Sequence, residues 1–167
     1  MGEKCKKILS QEFHIKEGVL APDFTFKDSD KKDRRLSDFL GKPIVIYFYP
    51  NDFTPGCTTQ AYEFSIHFNK YFENNITIIG ISPNDETTHQ KFKEKLKIPF
   101  LLVSDSNHQI SKKYGVYTLK KFMDKEYMGV NRTTLLIDKH GKIVKIFYKV
   151  KPKGHSEEVL KYFLKDN

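Results

Sequence analysis

Cysteine is scarce in this chain: only Cys5 and Cys57 occur among its 167 residues. Two thiols are too few for the disulfide framework that holds small secreted domains together, so each is weighed as a free thiol in a reducing compartment. Neither belongs to a C-x-x-C pair, because Cys57 is followed by Thr58, Thr59 and Gln60. That removes the usual dithiol of a thiol-disulfide oxidoreductase. The six histidines (His14, His67, His89, His108, His140 and His155) show no paired ligand spacing, and two distant cysteines do not build a zinc site, so neither a metal nor any other cofactor is expected. No apolar run approaches the roughly 18 residues that cross a bilayer. The start, MGEKCKKILSQEF, also lacks the apolar core of a secretory signal. The expectation is a soluble cytoplasmic protein without a membrane partner, the nucleus being left open by short basic runs. Internal repeats, low-complexity blocks and Pro/Gly/Ser-rich linkers are missing too. Residues 1–12 therefore read as a flexible basic extension and 13–167 as one domain.

What the chain does have is apolar bulk, with 14 Phe and 9 Tyr in a composition 38% hydrophobic, which argues against a disordered tail protein. Its net charge of +8 favours polyanions in general. The lysines are scattered, however, and the densest groups (Lys4, Lys6 and Lys7; Lys31, Lys32, Arg34 and Arg35; Lys149, Lys151 and Lys153) are short and interrupted. A solvated basic surface is favoured over a nucleic-acid site. Short apolar segments bounded by Pro, Gly, Asn and Asp predict buried strands at Ile44 to Tyr49, Ile76 to Ser82, Phe100 to Val103, Thr133 to Ile137 and Ile143 to Phe147. The first three are separated by enough chain for crossover helices, and Asp138-Lys139-His140-Gly141 reads as a hairpin joining the last two. Helical spacing appears after Cys57 in Ala61, Phe64, Phe68 and Phe72, and recurs at Phe92 and Leu96 and at Val159, Leu160 and Phe163. Asp85 and Glu86 open the second of these helices, and Ser156, Glu157 and Glu158 the third. The fold class predicted is α/β, a central mixed sheet flanked by helices.

The segment from Tyr47 to Cys57 leaves a buried strand, turns at Pro50, Pro55 and Gly56, and enters a helix, which places Cys57 in a first helical turn. A free thiol is only a few per cent thiolate at neutral pH. Moving a thiol from about 8.5 to about 6 takes roughly 3.4 kcal/mol, whereas a helix terminus supplies about 0.3 to 1, and about 2 in a favourable buried geometry. A nucleophilic cysteine there needs a cation as well.

At these residues the chain resembles the peroxiredoxin family, whose motif P-x-x-x-T-x-x-C stands here as Pro50, Thr54 and Cys57. Further matches are Ala21-Pro22-Asp23-Phe24, Thr54-Pro55-Gly56-Cys57-Thr58-Thr59, Tyr127-Met128-Gly129, Arg132-Thr133-Thr134 and Lys153 to Leu160. From about Gly18 onward it is similar to the peroxiredoxin Q branch, also called bacterioferritin comigratory protein. The resemblance implies a thioredoxin-like fold and a thiol peroxidase that reduces hydrogen peroxide and organic hydroperoxides. It assigns Cys57 as peroxidatic thiol, Arg132 as the cation beside it, Thr54 as a hydroxyl offered to the peroxide and Pro50 as a shield from water. A sulfenic acid would form on Cys57 and be reset by another thiol.

Many members of that branch carry a resolving cysteine five residues after the first, where this chain has Tyr62. An external reductant, thioredoxin or glutaredoxin with glutathione, is then expected. Cys5 is the other possible resolving thiol, although a thiol in a mobile terminus is more often a spectator. Branch members are often monomeric, and a monomer is expected. Blander readings stand beside these: Thr54 as a helix cap, Pro50 as a strand terminator, Arg132 as a surface residue before a strand. The competing function is a basic protein associated with nucleic acid or chromatin, with peroxidase activity residual or secondary.

Overall fold

The computed structural model describes residues 15–28 and 31–165. The proposed extension 1–12 and Cys5 lie outside the described residues. β-branched and aromatic residues form the middle of the molecule: β3 (Ile44–Phe48), β4 (Thr77–Ser82), β5 (Leu101–Ser104), β8 (Thr133–Ile137) and β9 (Ile143–Phe147) make one five-stranded sheet in the order β5-β4-β3-β8-β9. β3, β4 and β5 run parallel, while β8 lies antiparallel to β3 and β9 antiparallel to β8. The mixed sheet and its five strands agree with the sequence expectation to within a residue or so at each end. The reason is physical. Strands covered on both faces read as short, almost wholly apolar runs, and all five residues of β3 are buried.

Helices supply the two crossovers that parallel pairing demands. α1 (Pro55–Ile66), followed by the short α2 (Phe68–Glu73), links β3 to β4, and α3 (Glu86–Leu96) links β4 to β5. Asp85 caps α3, its side chain accepting the Thr88 N–H at 2.8 Å. The hairpin between β8 and β9 closes on Asp138, whose Oδ1 accepts from the backbone of His140 and Lys142, and Gly141 takes the positive φ of 90° that the turn requires. α4 (Gln109–Lys113) precedes a second hairpin, and α5 (His155–Lys165) packs beside α1.

Alternation along β3 divides the core. Ile44, Ile46 and Phe48 join one apolar layer with Phe24, Leu36, Ile110 and Tyr114. Val45, Tyr47 and Tyr49 face the other with Cys57, Ala61, Phe64, Phe92 and Val159. The layer that holds Cys57 is therefore the one roofed by α1, α3 and α5.

Two expectations need correction. The apolar stripe Ala61, Phe64, Phe68, Phe72 does not lie on one helix: the chain breaks at His67, and Phe72 is 70% exposed while its neighbour Tyr71 is fully buried. Tyr71 wins the interior because its hydroxyl finds the Ser156 carbonyl at 2.6 Å, a partner no phenylalanine can use. The stretch Tyr117–Val130, for which the sequence predicted no element, forms the antiparallel hairpin of β6 (Tyr117–Phe122) and β7 (Lys125–Val130). Two further short strands, β1 (Thr25–Lys27) and β2 (Asp33–Arg35), pair with each other. Among the described residues no helix is long and apolar enough to cross a membrane.

Candidate active site

β3 ends beneath the layer of α1, and the chain turns through residues 50–54 before Pro55 starts the helix. Proline suits that first position, where a backbone N–H has no intrahelical partner. Cys57 is thus carried in the first turn, and its side chain is 1% exposed. The N–H groups of Gly56 and Cys57 belong to the set that a helix start leaves without intrahelical acceptors, an arrangement that favours anions.

Arg132 sits between β7 and β8, distant in sequence but adjacent in space. Its Nη2 donates to Cys57 Sγ at 3.3 Å, and its Nη1 donates to Gln60 Oε1 at 2.7 Å. The guanidinium fork thereby fixes one arm on the sulfur and the other on a side chain one turn further along the same helix. Gln60 is buried at 1% exposure, and sequence reading missed it. Its signal was the spacing from Cys57, which puts the two on one helix face. Gly56 is small for a reason: a Cβ there would lie 3.1 Å from Arg132 Nη2 and 3.4 Å from Pro152 Cγ.

Thr54 is the residue preceding the helix, yet its hydroxyl caps nothing in α1; it donates to the Asn51 carbonyl at 2.9 Å. Pro50 is half-buried at the end of β3, next to the fully buried Tyr49. The structure thus brings Cys57 and Arg132 into contact and sets Pro50 and Thr54 on the loop between β3 and α1. Tyr62, in the position of the missing second cysteine, is exposed on α1.

Tyr47 lies in the same layer, stacked on Phe64 at 4.9 Å between ring centroids. Burial pushes its hydroxyl well above the ordinary tyrosine range, and the neighbouring Cys57 and Asp52 add to that. It stays a neutral phenol, and its buried hydroxyl has no hydrogen-bond partner among the described residues. Among the described residues no group of three or more His, Cys, Asp or Glu is placed to hold a metal ion. What the arrangement can do is hold a sulfur anion between a guanidinium and a helix start, out of bulk water.

Residues 18–146 match the AhpC/TSA family. "Peroxiredoxin Bcp" of Bacillus subtilis is 47% identical over 146 residues, covering 87% of this chain and 93% of that protein. "Peroxiredoxin Bcp" of Escherichia coli is 36% identical over 148 residues, covering 89% and 95%. Among solved structures, a cysteine-to-serine mutant of PrxQ from Xylella fastidiosa superposes with a TM-score of 0.86 at 31% identity, covering 92% of this chain and 98% of that one. The fold is thioredoxin-like, as in those peroxiredoxins.

Proposed function

The chain belongs to the AhpC/TSA family and is a thiol-dependent peroxidase of the peroxiredoxin Q type, and from that premise we propose that Cys57 is its peroxidatic thiol and Arg132, Thr54 and Pro50 its immediate helpers. The observation that carries the assignment is the 3.3 Å contact between Arg132 Nη2 and Cys57 Sγ. A charge-assisted bond to sulfur lowers the energy of the thiolate relative to the thiol, and only the thiolate attacks.

The thiolate attacks one oxygen of the peroxide; the S–O bond forms as the O–O bond breaks, and the departing oxygen leaves as water or alcohol after gaining a proton. Cys57 becomes the sulfenic acid, two electrons oxidised. The N–H groups of Gly56 and Cys57 hold the peroxide oxygens. The Thr54 hydroxyl, now spent on the Asn51 carbonyl, swings to the bound peroxide, and Pro50 screens the pocket. A thiol then displaces the sulfenic oxygen as water, giving a mixed disulfide that a second thiol reduces.

Tyr62 replaces the thiol that would close an internal disulfide on α1, which supports recycling by an external reductant: thioredoxin, or glutaredoxin with glutathione. A monomer working in the cytoplasm fits this reading, with Cys5 a spectator. The test is peroxide consumption by the reduced protein, its Cys57→Ser and Cys5→Ser variants, and trapping of the sulfenic acid. Loss of reaction in Cys57→Ser alone, with Cys5→Ser still recycled by added thioredoxin or glutaredoxin, is the expected outcome. Equal reaction of wild type and Cys57→Ser would sink the assignment.

A further inference from the structure

The loop that delivers Cys57 is tied down from below by a buried polar cluster that the peroxidase chemistry leaves unused. Asp52 lies in that loop. Its Oδ1 accepts from the Tyr49 hydroxyl at 2.7 Å, and its Oδ2 lies 2.6 Å from Nδ1 of His89 on α3. Their side chains are 0% and 5% exposed, respectively. The backbone N–H of Asp52 donates to Asn84 Oδ1 at 2.8 Å, and Asn84 Nδ2 reaches Asn51 Oδ1, also at 2.8 Å. Between Asp52 and Thr54, Phe53 takes a left-handed φ of 64° that a non-glycine residue adopts at a cost, and its ring rests edge-on against Phe92 of α3.

The protons of this cluster can be counted. His89 Nε2 faces the Val103 carbonyl at 3.1 Å, and a carbonyl only accepts. Its other neighbour, Ser82 Oγ at 3.5 Å, gives its single proton to Asn84 Oδ1 at 2.9 Å. That Asn84 atom is fixed as the oxygen because it also receives the Asp52 N–H. Nε2 therefore carries a proton. The 2.6 Å contact between Nδ1 and Oδ2 needs a second one. Whether that proton rests on nitrogen or oxygen, imidazolium with carboxylate or imidazole with carboxylic acid, the pair holds two protons and its net charge is zero.

Taking Cys57 as the peroxidatic thiol, we propose that His89 and Asp52 are positioning residues: a neutral, two-proton clamp that pins the loop bearing Pro50 and Thr54 to β5 and α3 and so sets the entry angle of α1. Neither side chain touches the reacting sulfur. The clamp acts through Asn51, Phe53 and Thr54, whose hydroxyl is held on the Asn51 carbonyl. Electrical neutrality is what lets the pair sit beneath a site that must stabilise an anion, since a net negative charge there would oppose the thiolate.

Neutrality makes a sharp distinction between variants. In Asp52→Asn the amide oxygen still accepts from Tyr49, and the amide N–H supplies the proton to Nδ1 of a neutral His89 that keeps Nε2–H on Val103. Asp52→Ala and His89→Ala leave partners buried and unpaired. The second-order rate constant for peroxide is measured on each variant, together with thermal unfolding and the ¹⁵N NMR of His89 in the wild type near neutral pH. Asp52→Asn is expected to keep the rate to within about threefold, while the alanine variants, where folded, lose about 10- to 100-fold. NMR is expected to show a protonated Nε2. An Asp52→Asn variant as slow as Asp52→Ala would overturn the neutral clamp, a fast and folded Asp52→Ala would overturn its positioning role, and a bare Nε2 would overturn the proton count. If wild type itself fails to consume peroxide, the assignment of Cys57 fails, while the NMR result still judges the clamp.

Discussion

Replacing Arg132 with methionine removes the cation from the sulfur while keeping an unbranched chain of similar reach. Two bonds are lost, to Cys57 Sγ at 3.3 Å and to Gln60 Oε1 at 2.7 Å, but only the first acts directly on the attacking anion. A hydrogen bond to a charged group is worth about 1.5 to 3 kcal/mol. At about 1.4 kcal/mol per decade, Arg132→Met slows peroxide attack about 10- to 150-fold. Arg132→Lys keeps a charge but gives up the planar fork that spans both partners, so its rate falls between the two. With no tryptophan in the chain, indole fluorescence is not a probe. The assay is competition for limiting peroxide against a fast reference peroxidase, with sulfenic acid trapped at intervals. A methionine variant that folds normally and reacts within about threefold of wild type would refute the reasoning, because the guanidinium would then contribute less than a single ordinary hydrogen bond.

Three other positions give equally definite outcomes. Gly56→Ala puts a Cβ 3.1 Å from Arg132 Nη2; peroxide attack is expected to slow several-fold while thermal stability holds, since alanine in a helix gains up to about 1 kcal/mol over glycine. Gly80→Ala, in β4, meets Leu102 Cδ2 at 2.8 Å and Tyr47 Oη at 2.9 Å, so a loss of about 1 to 3 kcal/mol is expected from urea midpoints. Burial holds the His155 imidazole below its ordinary range, against a raising pull from Glu158, and Arg132 lowers it further. The unfolded chain takes up that proton first as pH falls through about 6.5, so stability declines from there downward. His155→Gln is expected to flatten that part of the curve measured in urea.

The buried sheet was legible in the sequence because strands covered on both faces leave continuous apolar runs. β6 and β7 were not: Leu119, Lys121, Phe122, Met123 and Lys125 all face solvent, so neither alternation nor a buried run marks them. The phenylalanine stripe misled for the opposite reason. Its spacing fits one helix, but the break at His67 rotates the next helical turn and gives the interior to Tyr71. At the site, Cys57 was singled out by its place after a strand and turn at a helix start together with the family motif of Pro50 and Thr54. Arg132 did not, because a partner 75 residues away leaves no local trace, and only family resemblance pointed to it. Asp52 and His89 gave no sign of their pairing, since a polar pair that satisfies itself in the interior has no periodicity to display.

The period of two in β3 also sets where this chain tolerates a change of length. Deleting one residue between Ile44 and Phe48 would send Tyr47 to the far layer and turn Phe48 toward Cys57, exchanging the contents of both cores at once. Deleting two would restore the faces but draw the loop bearing Pro50 and Thr54 back by about 7 Å, well beyond the reach of Arg132. The turn at Met123 and Asp124 joins two strands that meet chiefly each other, and Met123 is 82% exposed. Insertions and deletions accumulated over descent should therefore gather at that tip and spare the five residues of β3.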